Sequence, residues 1–327
     1  MATAVGTAET IGHLCARVQK RPILTGLRSL PALVLVTVVL TVLLLSLAVQ
    51  AHEVSNDLIV EPYLINHGFL MYRDIVNQHA PFVSYVMALL YRVVGYSNSV
   101  KVALLLVVGL VIALLTYVVA TRLADRMAGL VALILFAMVW PHVGGATLWF
   151  DTFLPCLYLA SLLLLVQQRR LTDRGAGIPL ILAAGVMLGI AVLVKQQVIL
   201  VAISMVIGVT IGPLSEGRRR MAVALALGIA APLAVFLVFV VASGTLGATL
   251  YWLITYNVFG PYGRLSAVAA PRIVLISLAG WWFVPLLLLV VGWRRSHARW
   301  WERGWMGASS AQAVVALLLL RARAEIK

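Results

Sequence analysis

Long apolar runs separated by short polar segments form the pattern along this chain. Many of the runs have the roughly 17 to 25 residues that a helix needs to cross a ~30 Å hydrocarbon core. The alternating pattern of a transmembrane barrel is absent. The pattern therefore predicts an all-α polytopic membrane protein of about nine transmembrane helices. The predicted spans are 30–51, 100–121, 127–143, 148–168, 178–194, 198–214, 221–242, 272–292 and a weak last one at 306–320.

A polar segment, residues 52–80, follows the first span. Of the 11 acids in the chain, Glu53, Asp57, Glu61 and Asp74 lie here. The next stretch, 81–97, is short for a span and contains one arginine and three tyrosines, a composition typical of the membrane interface. We expect residues 52–97 to form the first outer loop, with 81–97 as a helix in the membrane plane.

Arginine clusters fix the predicted orientation. They occur at 122–126, 169–174, 218–220 and 294–303, and each consecutive pair is separated by enough apolar sequence for two spans. All four clusters then lie on the cytoplasmic side, together with the basic segment 1–29. Residues 52–80 are then outside and residues 122–126 are inside, so an odd number of spans must separate them. The interval contains two apolar stretches, 81–97 and 100–121, and we therefore place 81–97 in the membrane plane. The alternative is that 81–97 does cross and a later segment does not.

The N-terminus allows a second choice, between a cleaved signal sequence and an uncleaved first span. Val49, Gln50 and Ala51 form a passable cleavage site. The apolar run before them is longer than the core of most signal peptides, which favours an uncleaved span. Residues 30–327 are then predicted to form a single transmembrane domain.

Composition supports this class and excludes others. A hydrophobic fraction of 63%, a charged fraction of 11% and a mean hydropathy of +1.04 exclude a soluble domain. The net charge of +14 does not indicate nucleic-acid binding, because the arginines lie at the ends of apolar runs where they contact lipid. Cys15 and Cys156 support neither a disulfide framework nor a metal site. No nucleotide, redox or metal-binding motif is present, so no cofactor or metal is predicted.

Sorting the ionisable residues by this topology predicts an outward-facing site. Asp57 and Glu61 are four residues apart and share a face if their segment is helical, although Pro62 weakens that helix. A carboxylate near a low-dielectric boundary is a candidate general base, and the residues leave the choice between Asp57 and Glu61 open. The remaining outward candidates are Arg73, Asp74, His79, Asp151, Lys195 and Arg264.

One group of these candidates and one single residue are informative by themselves. Arg73, Asp74 and His79 directly precede the in-plane helix and suit the binding of a phosphate. Lys195 interrupts the apolar stretch 178–214, which is too long for one helix, so the chain is expected to reverse there. An ionisable residue in such a place normally lines a cavity or pairs with an anion.

Three motifs in order resemble the membrane glycosyltransferases of the GT-C superfamily, in the branch akin to protein O-mannosyltransferases and lipid A aminoarabinose transferases. They are INHGFLMYRDIVNQHAP, LWFDTFLPCLYLASLLLL and GIAVLVKQQ, and the resemblance covers roughly residues 50–215. The chain departs from the family in lacking an adjacent Asp-Glu pair before Gly68. It also ends at RARAEIK, earlier than relatives do, which predicts a truncated or minimal member.

The resemblance implies a hexosyl- or pentosyltransferase in a plasma membrane of the bacterial inner-membrane type. A polyprenyl-phosphate sugar would donate its sugar, with inversion, to a hydroxyl of a glycan, lipid or protein on the outer face. Asp57 or Glu61 would be the base, Arg73, Lys195 and Arg264 would contact the phosphate, and Asp74 and His79 would orient them. The competing hypotheses are a transporter or flippase of a lipid-linked precursor and a non-catalytic membrane scaffold.

Overall fold

The computed structural model describes residues 30–50, 57–142, 147–171, 177–210 and 216–259, and these residues form helices without any β-strand. The predicted all-α class is confirmed. The α-helices are α1 (Leu30–Gln50), α2 (Asp57–Asn66), α3 (Phe82–Val94), α4 (Asn98–Leu123), α5 (Arg126–Val139), α6 (Leu154–Leu171), α7 (Gly177–Val194), α8 (Ile199–Thr210), α9 (Glu216–Ala242), α10 (Leu246–Leu250) and α11 (Tyr256–Phe259). Short 3₁₀ turns lie at Trp140–His142, Phe150–Phe153 and Gln196–Val198, and a π turn lies at Tyr251–Thr255.

Five helical segments of the described residues are long and apolar enough to cross a membrane. They are Ala32–Val49, Asn98–Leu123, Phe150–Gln168, Gly177–Val194 and Arg219–Ala242, and each coincides with a predicted span. The predicted spans at 127–143 and 198–214 are apolar helices of shorter length. The spans predicted at 272–292 and 306–320 lie outside the described residues, so the count of nine stays a prediction.

The packing centres on α7, which lies between α6 and α9. Ala184, Leu188 and Ala191 of α7 are fully buried in the main apolar cluster. On the side toward α9, Gly185 lies against Gly228, and a Cβ at Gly189 would overlap the Ile229 carbonyl oxygen. Small residues spaced four apart let two membrane helices approach closely, which accounts for this contact. Close packing gives the bundle a rigid centre.

The helix predicted at 81–97 is present as α3 and ends earlier than expected. Gly95, with φ of 90°, follows α3 and donates its N–H to the Tyr91 carbonyl at 2.8 Å. This left-handed conformation favours glycine and explains the end of the helix. One face of α3 is buried, including Met87 and Tyr91, while Leu89 and Val93 on the other face are exposed. An exposed apolar face suits a helix in the membrane plane, and that placement stays a prediction.

Residues 57–66 are helical despite Pro62. Pro62 is the sixth residue of α2, beyond the first turn in which a proline is easily tolerated. The Tyr96 hydroxyl donates to the Pro62 carbonyl at 3.3 Å, so α2 has a tertiary contact at this position. The helix ends at Asn66, and Gly68 follows with φ of 90°. Tertiary packing therefore outweighs the low helix propensity of proline.

We predict that Gly189→Val destabilises the protein. A side chain at this position must displace Ile229 or Pro232 of α9, and such overpacking costs about 1–3 kcal/mol. Gly217→Val is the matched control on α9, because no atom lies within 4 Å of a Cβ at Gly217. Thermal unfolding in detergent should give a lower midpoint for the first variant alone. Equal midpoints for the two variants would contradict the close α7–α9 contact.

Candidate active site

The loop between α2 and α3, residues 67–81, connects the parts of the candidate site. Tyr72 has a left-handed backbone with φ of 70°, which is uncommon for a residue other than glycine. Its N–H donates to the Ile75 carbonyl and its hydroxyl donates to the His79 carbonyl, both at 2.8 Å. Local hydrogen bonds thus hold the loop in a strained conformation of the kind that is concentrated at functional sites.

Glu61 is a buried carboxylate that joins this loop to both neighbouring helices. Only 7% of the residue is exposed. Asn77 Nδ2 donates to Glu61 Oε1 at 2.5 Å, and Ser84 Oγ of α3 donates to Oε2 at 2.6 Å. The pKa of Glu61 is raised from 4.5 to about 7, mainly because of burial and also because of the nearby Asp57, and the hydrogen bonds from Ser84 and Asn77 oppose this rise. Both carboxylate oxygens are occupied by protein groups.

Asp57 lies one helical turn before Glu61 in a different environment. Its side chain is exposed, in the first turn of α2. The next residue, Leu58, is fully buried and fixes this end of the helix in the main apolar cluster. The two acids that share this helix therefore differ in access, because Asp57 is exposed and Glu61 is enclosed.

Asp151 and Lys195 form an ion pair, with Lys195 Nζ and Asp151 Oδ2 at 2.5 Å. Asp151 lies in the 3₁₀ turn before α6, in which the Thr152 hydroxyl accepts from the Trp149 N–H at 3.0 Å. Lys195 has an extended backbone between α7 and the following 3₁₀ turn, at the predicted chain reversal. The side chains are 26% and 16% exposed, so the pair is partly screened from water and still reachable.

The loop also contacts both partners of this ion pair through their neighbours. The His79 ring stacks on Phe150 at 4.6 Å between ring centroids, next to Asp151. The Gln78 carbonyl accepts from Gln196 Nε2 at 3.1 Å, next to Lys195, and from Asn257 Nδ2 at 3.0 Å. These contacts bring the 67–81 loop, the start of α6, the end of α7 and the segment after α10 to one end of the bundle.

Arg73 and Asp74 pair with each other. Arg73 Nε and Nη2 donate to the two oxygens of Asp74 at 3.0 and 2.9 Å. The pairing lowers the pKa of Asp74 and raises that of Arg73. Within the described ranges, neither side chain hydrogen-bonds to Asp151 or Lys195. Arg264 lies outside the described residues.

Four residues that form hydrogen bonds in the candidate site were not predicted from the sequence, namely Asn77, Ser84, Gln196 and Asn257. Gln196 follows Lys195 at the break in the apolar stretch and lies in the motif GIAVLVKQQ, and these two signals pointed toward it. The other three are ordinary polar residues whose importance depends on contacts 16 to 179 positions away in the chain. As for metals, the described part of the chain has no group of three or more His, Cys, Asp or Glu side chains placed to bind an ion.

The family of dolichyl-phosphate-mannose-protein mannosyltransferases matches residues 78–243. The matched region includes His79, Asp151 and Lys195 and begins after Asp57, Glu61, Arg73 and Asp74. No curated protein and no solved structure matches the chain.

We predict a pH-dependent stability difference between the wild type and Glu61→Gln. Because the folded protein raises this pKa from 4.5 to about 7, its stability falls as pH rises through that interval. At ~1.4 kcal/mol per pKa unit, the loss is roughly 3 kcal/mol. Glu61→Gln should therefore raise the unfolding temperature relative to wild type by more at pH 8 than at pH 5. If Glu61→Gln changes the unfolding temperature by the same amount at both pH values, Glu61 is not a buried acid that ionises near neutral pH.

Proposed function

The chain belongs to the dolichyl-phosphate-mannose-protein mannosyltransferase family of membrane glycosyltransferases, and from this premise we propose that it transfers a sugar from a polyprenyl-phosphate donor to an acceptor hydroxyl. The reaction takes place on the outer face of a plasma membrane, with the N-terminus in the cytoplasm. The observation that most supports this proposal is the convergence of an accessible carboxylate and a lysine–aspartate pair at one end of an apolar helix bundle.

The proximity of these groups follows from the main apolar cluster. Leu58, Phe150 and Val194 are buried in it. Leu58 directly follows Asp57, and Phe150 and Val194 directly precede Asp151 and Lys195. One packed core therefore positions all three ionisable residues. An arrangement fixed by packing can orient two substrates without further rearrangement.

Asp57 acts as the general base in this proposal, because it is the accessible member of the pair with Glu61. Its carboxylate takes the proton of the acceptor hydroxyl, and the hydroxyl oxygen attacks C1 of the sugar. The bond between C1 and the lipid-phosphate oxygen breaks, its electrons leave with the phosphate, and the anomeric configuration inverts. Glu61 holds Asn77 and Ser84 and thereby fixes α2 against the loop.

Lys195 stabilises the phosphate that departs. Its ammonium is oriented by Asp151 in a partly buried site, where charge stabilisation is stronger than in water. His79, held against Phe150, borders the same turn. Arg73, oriented by Asp74, and Arg264 serve as further phosphate contacts, and the acceptor is a glycan, lipid or protein.

We predict that Asp57→Asn lowers the turnover number at least about 100-fold, which is the usual scale of general-base catalysis. Membranes containing the protein are supplied with polyprenyl-phosphate mannose, and release of polyprenyl phosphate is measured because this readout is independent of the acceptor. Binding of the donor lipid should stay within about threefold of wild type, since Asp57 does not contact the phosphate. Wild-type turnover in Asp57→Asn would reject the assignment of the base.

Lys195→Met should lower kcat/KM by about 100- to 1,000-fold, as expected for the loss of one charge-stabilising contact. This variant also leaves Asp151 without its cation and so risks unfolding. The matched control is the double variant Asp151→Asn/Lys195→Met, which removes both charges. It should regain thermal stability without regaining transfer, whereas recovery of transfer would show that Lys195 only neutralises Asp151.

A further inference from the structure

Lys101 is a buried cation that the proposed reaction does not use. It is the fourth residue of α4, and only 3% of it is exposed. A lysine at a membrane surface normally extends its ammonium group into water, and burial to this degree is unusual. Among the described residues, no carboxylate forms an ion pair with Lys101.

Its position in the helix adds a second cost. The first turn of α4, after the N-cap Ser97, carries the partial positive charge of the helix dipole. A lysine there meets a field of its own sign while it is also deprived of water. A bound anion would offset both effects, because it would pair with the ammonium and also interact favourably with the helix terminus.

Along the helix axes, Lys101 lies at the same level as the candidate active site. The Cys156 thiol of α6 contacts the Val108 carbonyl of α4 at 3.9 Å, which fixes the register between the two helices. The pairs Leu105 with Leu154 and Val119 with Leu162 share apolar clusters, so α4 and α6 run in the same direction. Counting back from this contact, Lys101 lies about 10–11 Å and Asp151 about 9 Å nearer the outer end.

Lys101 also lies on the face of α4 that is directed toward the site. Residues four apart share a face of a helix, and Leu105 lies in the same buried cluster as Phe150 and Leu154. Lys101 thus extends this face by one turn at the outer end.

We propose that Lys101 binds the phosphate of the polyprenyl-phosphate donor, together with Lys195; this inference rests on the proposed function. The described cations already assigned to the phosphate are each paired with a carboxylate, Arg73 with Asp74 and Lys195 with Asp151. Each of these pairs is neutral overall. Lys101 adds the uncompensated positive charge that a phosphate needs for strong binding in a low-dielectric site.

The test compares wild type, Lys101→Met, Lys101→Arg and Arg92→Met in detergent. Arg92 is the matched control because it is an exposed cation in the last turn of α3, nine residues before Lys101. Each protein is titrated with polyprenyl phosphate, the corresponding polyprenol, phosphatidylglycerol and inorganic phosphate. Thermal unfolding without added lipid is recorded in parallel.

Lys101→Met should bind polyprenyl phosphate at least about tenfold more weakly, the scale of one lost charge-assisted contact. Lys101→Arg and Arg92→Met should stay within about threefold of wild type, and affinity for the polyprenol and for inorganic phosphate should not change. Without lipid, Lys101→Met should unfold at the wild-type temperature or above, because a buried unpaired charge has been removed.

The contrary outcomes separate this inference from the proposed function. Wild-type affinity of Lys101→Met for polyprenyl phosphate would overturn the role of Lys101 and leave the donor class intact. An equal loss of affinity for phosphatidylglycerol would make Lys101 a general anionic-lipid contact and would also overturn the proposal. If the wild type does not prefer polyprenyl phosphate over the polyprenol, the donor class itself is wrong.

Discussion

The outer part of this protein depends on one buried carboxylate. Glu61 accepts hydrogen bonds from Asn77 of the loop and Ser84 of α3, so a single side chain of α2 joins three consecutive segments. Enclosing a carboxyl group is costly unless its oxygens are satisfied or it takes up a proton, and Glu61 meets both conditions near neutral pH. These bonds add to the apolar contacts of Met71, Tyr72 and Ile75 with Leu64 and Ile65, which also hold the 67–81 loop against α2. The same loop contacts Phe150, Gln196 and Asn257.

The apolar bundle serves this polar end as a scaffold. Where α7 meets α9, glycines permit close contact, and the same α7 ends at Lys195, so tight packing in the centre determines where the ammonium group lies. The Asp151–Lys195 pair in turn links α7 to the start of α6. A catalytic group placed at the end of a rigid helix is positioned more precisely than one on a free loop. Asp57 has a comparable support in Leu58, which is enclosed in the same core.

Sequence reasoning identified the helices well because their signal is local. Apolar length predicted the long helices, the Lys195 break predicted the end of α7, and glycine predicted the end of the helix after 66. The partners Asn77, Ser84 and Asn257 could not be predicted, since nothing in a short polar residue reveals a contact made far along the chain. The same limit kept Asp57 and Glu61 equivalent in the sequence. Pro62 argued against a helix that tertiary contacts nevertheless stabilise.

Burial separates the roles of residues that share a charge. Asp57 and Glu61 are both acids on one helix, yet Asp57 is exposed, whereas enclosure makes Glu61 a structural link whose charge is suppressed near neutral pH. The cations divide in the same way. Arg73 is paired at the surface, where an ion pair contributes little, and Lys195 is paired in a partly buried site, where its field is stronger. Lys101, buried without a carboxylate among the described residues, gains most from an anion that arrives with the substrate. In the proposed reaction, binding energy from that anion positions the sugar for attack.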